Sequence, residues 1–438
     1  MAGGTWTTQN KVRPGVYVNV VSAGGPVGSA GSRGITSIAL SLPWGAAKVI
    51  TPIVAGENTL TKLGFDITAP ELLLVREALK RAQTVLLYKL NDGTKAAVTS
   101  GALTATAKYG GLRGNALKIV VQTNIDDSAK FDVKTLLNNV VMDTQVVANI
   151  AGLKANDWVT FNASGTLTAT AGTPLIGGAD GSVTNADHTA YLAALELYEF
   201  QTAALASTDS ALKAVYAAFV RRLRDSEGKK VQVVLENYLT ADNEGVISVK
   251  NGVVLSDGTT LTAAQATAWV AGATAGAEMN ESLTYSAYDD AVDVAPRYTN
   301  TQIEAALTAG EFLFTPSTNR AVVEQDINTF LSFVPTKGKE FHKNRVIRVL
   351  DGISNDLKRI FESFYIGKVS NTQDGRALFR KEIVVYLDTL QGIAAIQNFD
   401  AQTDVTVSEG TESDAVYVEV GIQPVDSIEK VYMKVQVN

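Results

Sequence analysis

"PELLLVREALKRAQTVLLYKL", residues 70–90, decides how the first part of the chain folds. Its first half carries the apolar spacing of a helix, and its second half runs apolar as a strand buried on both faces does. Upstream, "ITSIALSLPWG" from Ile35 has the same doubly buried character. Residues 35–90 therefore read strand, helix, strand, the opening of an α/β layer.

After this opening the texture changes. From Thr94 to Val183 the chain is rich in Thr, Ala, Gly and Asn, and short alternating runs such as "ALKIVVQTN" and "DWVTFNASGTLTATAG" are separated by turn residues. That pattern predicts an all-β insertion. Helical spacing returns in "ADHTAYLAALELYEF" and is clearest in "SALKAVYAAFVRRLRD", where Leu212, Val215, Tyr216, Phe219, Val220 and Leu223 fall on one face. "GKKVQVVLEN" supplies the next buried strand, so residues 35–93 and 184–318 are expected to form one discontinuous α/β domain around the insertion at 94–183. "TAAQATAWVAGATAGAEMN" predicts an Ala-rich helix whose small residues permit close approach to another backbone.

Beyond Asn319 the chain is more basic and more helical. Val346, Ile347, Leu350, Ile353, Leu357, Ile360, Phe361 and Phe364 mark one long amphipathic helix, and "DGRALFRKEIVVYLDTLQ" a second. Strands close the chain: "AVYVEVGIQ", a turn at Pro424 to Asp426, then "SIEKVYMKVQV" with Val431, Met433, Val435 and Val437 on one face. The expected fold class is α+β and multidomain: a discontinuous α/β domain, an all-β insertion, and a mixed α/β C-terminal domain over 319–438.

Composition bounds the function. The 438 residues suggest two to four domains, and 46% hydrophobic with 19% charged residues describes a chain with cores to bury. A net charge of -7, with no long block of Lys or Arg, argues against direct binding to nucleic acid. The absence of Cys excludes disulfides, thiolate metal sites and cysteine nucleophiles. "MAGGTWTTQN" lacks the pattern of a secretory signal, and the apolar stretch "TSIALSLPWGAAKVITPIVAG" is interrupted by Pro43, Lys48 and Pro52. A soluble protein made in a cytoplasm, without membrane insertion, is expected.

Motifs for chemistry are sparse. His188 and His342 are the only histidines, and neither has a suggestive neighbour; both read as surface residues. "AGSRG" at 30–34 resembles a nucleophile elbow around Ser32, but a Gly-rich loop precedes it and a strand follows, the reverse of what that motif needs. No phosphate-loop motif is present, and Asp289, Asp290 and Asp293 match no EF-hand spacing and read as a solvated acidic turn. No catalytic, cofactor or metal residues are assigned.

The two ends are more informative. "RPGVYVNV", residues 13–20, is an alternating strand followed by the Gly-rich "SAGGPVGSAGSRG", residues 22–34. A lone strand leaves its donors and acceptors unpaired and its apolar face wet, so it must join a sheet. Thirteen linker residues can extend to roughly 40 Å, against a radius of gyration of roughly 22 Å for a chain of this length. Burying Val16, Val18 and Val20 would contribute roughly 5 to 9 kcal/mol gross. Pairing within the chain and pairing with a neighbouring molecule both remain open on this reading.

Several stretches together resemble contractile-tail sheath proteins, of the type in phages, PBSX-like prophages and contractile bacteriocins: "RPGVYVNV", "GGLRGNALKIVV", "WVAGATAGAEMNESLTYS", "VVEQDINTFLSF", "IRVLDGISNDLKRIFESFYIGKVSNTQDGRALFRKEIVVYLDTLQ" and the closing β segment. They span nearly the whole chain in the family's order. The resemblance implies hexameric rings stacked helically around a tail tube, contracting to drive the tube through a target envelope, with baseplate and tail terminator proteins as further partners. It implies assembly in a bacterial host cytoplasm and no cofactor.

It also implies terminal strands exchanged between subunits to complete the C-terminal domain. Gly15, Val16, Tyr17, Val18, Asn19, Val20 and Val21 match the N-terminal arm (1–21). Val431, Tyr432, Met433, Lys434, Val435, Gln436 and Val437 match the C-terminal arm (428–437). Gly24, Gly25, Gly28, Gly31 and Gly34 would be hinges in the linker (22–34), and the β insertion would face outward. Two other classes remain in view: a surface-layer or adhesin-like structural protein, and an enzyme on the α/β scaffold.

Overall fold

Ile35–Leu40 and Thr84–Lys89 pair in parallel, with Ile38 opposite Leu87, and this pair sits inside a seven-stranded sheet. In the computed structural model the described residues are 2–4, 15–17, 31, 33–162 and 164–437. The sheet runs in the order Glu311–Phe312, Val246–Val249, Gln232–Glu236, Thr202–Ala204, Ile35–Leu40, Thr84–Lys89, Ile50–Val54. The first six strands are parallel and the last is an antiparallel edge.

Parallel strands need both faces covered, which is why their sequences read as continuous apolar runs. Residues of alternate parity serve the two faces. Ile38, Leu87, Ala204, Val234 and Ile247 share a core with Trp269 of the helix Ala263–Gly276. Ala39, Leu86, Tyr88, Ala203 and Val233 pack with Tyr191, Tyr216 and Val220 from the helices Asn185–Leu195 and Ser210–Ser226. In Ser210–Ser226 five of the six expected face residues are buried, whereas Val215, at the margin of the stripe, is 40% exposed.

The Ala-rich helix makes the close approach its composition predicts. A Cβ at Gly272 would lie 2.2 Å from the carbonyl oxygen of Ala78, and one at Gly276 would lie 2.1 Å from that of Arg81. Only glycine admits the preceding helix, Leu73–Leu79, at that distance.

Residues 94–180 form the β-rich insertion. One sheet orders Val140–Val147, Phe131–Leu137, Leu117–Thr123 and Thr170–Pro174; another orders Val159–Phe161, Leu103–Ala107 and Ala97–Ser100. Asn138 and Asn139 make the two-residue turn between the first two strands, both at positive φ (50° and 65°), as a tight hairpin requires.

The chain divides into two compact units, Ser32–Asp351 with Asp426–Asn438, and Met1–Gly31 with Gly352–Val425. The division between the units falls within the helix Asn344–Phe364. Polar bonds hold residues 326–351 in the larger unit. Asn344 Nδ2 donates to Asp326 Oδ1 at 2.9 Å, and Arg348, 2% exposed, reaches Asp326 at 3.4 Å. Asp351 accepts from the guanidinium of Arg224 at 2.6 and 2.8 Å. Helical periodicity records the apolar face of this segment and is silent about such polar attachments.

In the smaller unit, Ile360 of that helix and Phe379, Ile383, Tyr386, Leu387 and Leu390 of the helix Gln373–Gly392 are buried. Phe364, expected on the apolar face, is 43% exposed. Tyr386 Oη donates to Asp356 Oδ2 at 2.9 Å, and the Gly31 amide donates to the same carboxylate at 2.9 and 3.0 Å. Val405–Glu409 and Val416–Val420 form an antiparallel hairpin whose Val405 side is packed on Gln373–Gly392. Ile396–Gln397 pairs with Gln423–Pro424.

Candidate assembly interface

The C-terminal arm leaves the larger unit at a polar clamp. Glu429 is the only acidic residue from 427 to 438, and its carboxylate accepts from Thr284 Oγ1 at 2.9 Å, Gln325 Nε2 at 2.6 Å and the Lys343 ammonium. Thr284 Oγ1 in turn accepts from the amide of Asp326 at 3.0 Å. Burial pushes the Glu429 carboxyl upward, but the bonds from Lys343 and Gln325 outweigh it and leave it below its ordinary value. A carboxylate held by several donors is ionised and fixed in place.

Beyond the clamp the chain is bare. Residues 426–437 take part in no strand, although "SIEKVYMKVQV" alternates as one. Among the described residues the expected strand has no ladder partner, and strand structure exists only when a second strand supplies donors and acceptors. Val431 is 74% exposed, Tyr432 92%, Met433 79%, Val435 77% and Val437 94%. Lys434 and Gln436 are exposed with them.

At the other end, Gly15–Tyr17 is a strand paired in parallel with Ala2–Gly4, Gly15 opposite Ala2 and Tyr17 opposite Gly4. Val18, Asn19, Val20 and Val21, the linker glycines Gly24, Gly25 and Gly28, and Ser32 lie outside the described residues. Of the other two linker glycines, Gly31 is held by Asp356. Gly34 sits at φ +106°, and its carbonyl accepts from the amides of Gln83 and Thr84 at 2.8 and 3.0 Å.

The hairpin of the smaller unit is a two-stranded sheet. Among the described residues its two strands pair only with each other, so each has a free edge. It carries Asp404, Glu409, Glu412, Asp414 and Glu419 with no Lys or Arg between 404 and 420; Glu409 lies 3.7 Å from Arg376 of the helix Gln373–Gly392. Asn371 Nδ2 donates to the carbonyls of Ser413 and Ala415, each at 2.9 Å, and Arg380 Nε donates to Val405 O at 2.8 Å. These bonds fix the hairpin from the helix side, and the one to Val405 O takes up an outward carbonyl of Val405–Glu409, which leaves Val416–Val420 with the freer edge.

The candidate residues for chemistry are taken up by structure. His188 and His342 are buried, correcting their expected place on the surface; each is 7% exposed. His188 Nδ1 lies 2.8 Å from Tyr216 Oη and His342 Nδ1 lies 2.9 Å from Phe330 O, and desolvation lowers both below the ordinary imidazole value. An amphipathic ring at a helix start can point inward when one polar partner is available. The acidic turn is paired: Asp289 accepts from Arg81 at 2.7 and 2.9 Å, Asp293 from Arg297 at 2.8 Å, and Asp290 lies 3.4 Å from Lys80. Among the described residues no helix is long and apolar enough to cross a membrane.

The clamp was missed from sequence. Glu429 could have been noticed as the one acid in an apolar and basic tail, but its partners lie between 86 and 145 residues away along the chain.

Four family models match in series. They are a tail sheath protein Gp18 domain III N-terminal region over residues 33–90, a phage tail sheath beta-sandwich domain over 91–180, a phage tail sheath central domain over 181–329 and a phage tail sheath C-terminal domain over 336–438. The chain is 40% identical to the phage-like element PBSX protein XkdK of Bacillus subtilis (strain 168), covering 100% of both. A solved sheath tail protein from Desulfitobacterium hafniense is 61% identical, with a TM-score of 0.87 over 97% of this chain and 100% of that one. The helical sheath of the anti-feeding prophage in its contracted state, 15% identical, shares the fold at a TM-score of 0.57, covering 98% of this chain and 100% of that one.

Proposed function

Because this chain belongs to the phage tail sheath protein family and is a structural protein of a contractile tail, we propose that it assembles as stacked hexameric rings around a tail tube, linked by terminal arms exchanged between subunits. The observation that carries this reading is the C-terminal arm. It is clamped at Glu429 and then presents Val431, Met433, Val435 and Val437 to solvent, with no strand beside them among the described residues.

Exposed apolar strands are costly for a free subunit and are stabilised when they complete a sheet. The acceptor is the hairpin Val405–Glu409 and Val416–Val420 of a neighbouring copy, joined by main-chain pairing in the manner of β-augmentation. The N-terminal arm, 1–21, makes a second such link. Each link is moderate by itself, but repetition through every subunit yields a continuous mesh.

Contraction is then a change between two packings of the same subunits while the arms stay paired. It drives the tube through a target envelope, and its energy is the difference between two sets of subunit interfaces. Tail tube, baseplate and tail terminator proteins are the partners, the insertion 94–183 faces outward, and assembly takes place in the bacterial host cytoplasm. The test is negative-stain electron microscopy of the purified full chain beside a form ending at Lys430. Striated tubes from the first and separate particles from the second are expected. Tubes of normal length from both would remove the C-terminal arm from the account.

A further inference from the structure

The smaller unit contains a cavity of about 310 Å³ that its own side chains do not fill. Phe361, Tyr365 and Ile366 line it from the C-terminal end of the long helix and the residues after it; Arg376 and Phe379 line it from the next helix, and Val416 from the hairpin. Its floor is an aromatic cluster, with Phe361 and Phe379 ring centroids 5.1 Å apart and those of Tyr365 and Phe379 4.7 Å apart. At its edge Ile366 is 54% exposed. Val416 begins the strand Val416–Val420, whose outer edge pairs with no strand among the described residues, so a strand added to that edge would run beside the cavity.

We propose that this cavity receives the apolar face of the C-terminal arm of a second copy of the chain, with Met433 as the side chain that enters beside Val416. This rests on the arm-exchange reading above and adds a specificity pocket to it.

Two features select this occupant. The first is periodicity. In an extended arm Val431, Met433, Val435 and Val437 share one face, while Tyr432, Lys434 and Gln436 share the other. On the receiving strand Val416, Val418 and Val420 are half-buried, and Tyr417 and Glu419 are exposed. Laying apolar face over apolar face sets Met433 toward the cavity and Lys434 on the side of Tyr417 and Glu419.

The second is charge. The hairpin carries Asp404, Glu412, Asp414 and Glu419 in addition to Glu409, which pairs with Arg376 at 3.7 Å, and the arm beyond Glu429 carries Lys430 and Lys434 without an acidic residue. Opposite charges across a strand pair favour this partner over a like-charged one. Methionine suits an irregular aromatic pocket, being unbranched and polarisable.

The chain has no Cys, so engineered thiols report one contact at a time. Full-length Ile366→Cys and Met433→Cys variants are mixed, assembled, oxidised and run without reductant, with tubes counted by negative stain in the same sample. Tyr417→Cys mixed with Lys434→Cys reports the opposite face of the same pairing. The expected result is a band at twice 46.4 kDa in both mixtures, at least tenfold above either variant alone.

Tubes with the Tyr417/Lys434 cross-link but without the Ile366/Met433 cross-link overturn the pocket and leave arm exchange standing. Cross-linking of Ile366→Cys to a Val16→Cys variant in place of Met433→Cys assigns the cavity to the N-terminal arm and overturns the proposal. So does a monomeric double variant that closes its own Ile366/Met433 disulfide, which places the arm in its own chain. Absence of both tubes and cross-links overturns the pocket and the arm-exchange reading together.

Discussion

Arg224 grips Asp351 through two parallel hydrogen bonds, Nη1 to Oδ2 at 2.6 Å and Nη2 to Oδ1 at 2.8 Å, with both residues buried. Nη1 also donates to Val231 O at 3.0 Å, and Glu244 lies 3.5 Å from Nη2. The pair ties the first two turns of the helix Asn344–Phe364 to the helix Ser210–Ser226.

Replacing Asp351 with Ala leaves a buried guanidinium short of its main partner. Breaking one side of such a pair costs about 3–5 kcal/mol, and the remaining Glu244 places this site toward the lower figure. Chemical denaturation of Asp351→Ala is expected to show that loss. The double variant Arg224→Met with Asp351→Leu should recover much of it, since two apolar groups leave no charge unpaired.

Glu429 makes the arm's attachment sensitive to acid. Its carboxyl is pushed up by burial but lowered on balance by Lys343 and Gln325, from an ordinary value of 4.5. A folded-state value below the unfolded one contributes stability above pH 4.5 that is lost as pH falls through the folded value. A spin label on a Met433→Cys variant should report slow opening of the clamp at pH 7 and faster opening once pH drops below 4.5. Glu429→Gln should show the faster opening already at pH 7.

Deleting residues 1–21 is expected to abolish tube formation without unfolding the body. Gly31 and Gly34 keep their bonds to Asp356, Gln83 and Thr84 in that truncation. Circular dichroism melts should match those of the full chain, while negative stain shows no striated tubes.

Gly272→Val places a Cβ 2.2 Å from the Ala78 carbonyl, with the branched methyls adding to the clash. The helices Leu73–Leu79 and Ala263–Gly276 must separate, at a cost of about 1–3 kcal/mol or more. Thermal unfolding should register the loss, and Gly392→Ala, where a Cβ meets nothing within 4 Å, should not.

The parallel sheet was legible because Ile35–Leu40, Thr84–Lys89 and Gln232–Glu236 are short continuous apolar runs, and the helices between them keep strict spacing. The glycines facing Ala78 and Arg81 were legible as a small-residue helix. Hidden were the attachments made by buried polar groups: Asp326 to Arg348, Arg224 to Asp351 and Glu429 to Lys343. They link residues far apart in the chain and carry no local period, so the attachment of residues 326–351 to the larger unit could not be read from spacing. The cavity beside Val416 was equally hidden, being a space between three elements.

The arm "SIEKVYMKVQV" alternates as a strand in sequence, and among the described residues no strand pairs with it. A helical reconstruction of tubes grown from the full chain, at a resolution that traces side chains, tests the central claim most directly. The account predicts residues 431–437 of one copy lying along the Val405–Glu409 and Val416–Val420 hairpin of another. Intact tubes in which residues 431–437 fold back onto their own chain would contradict it.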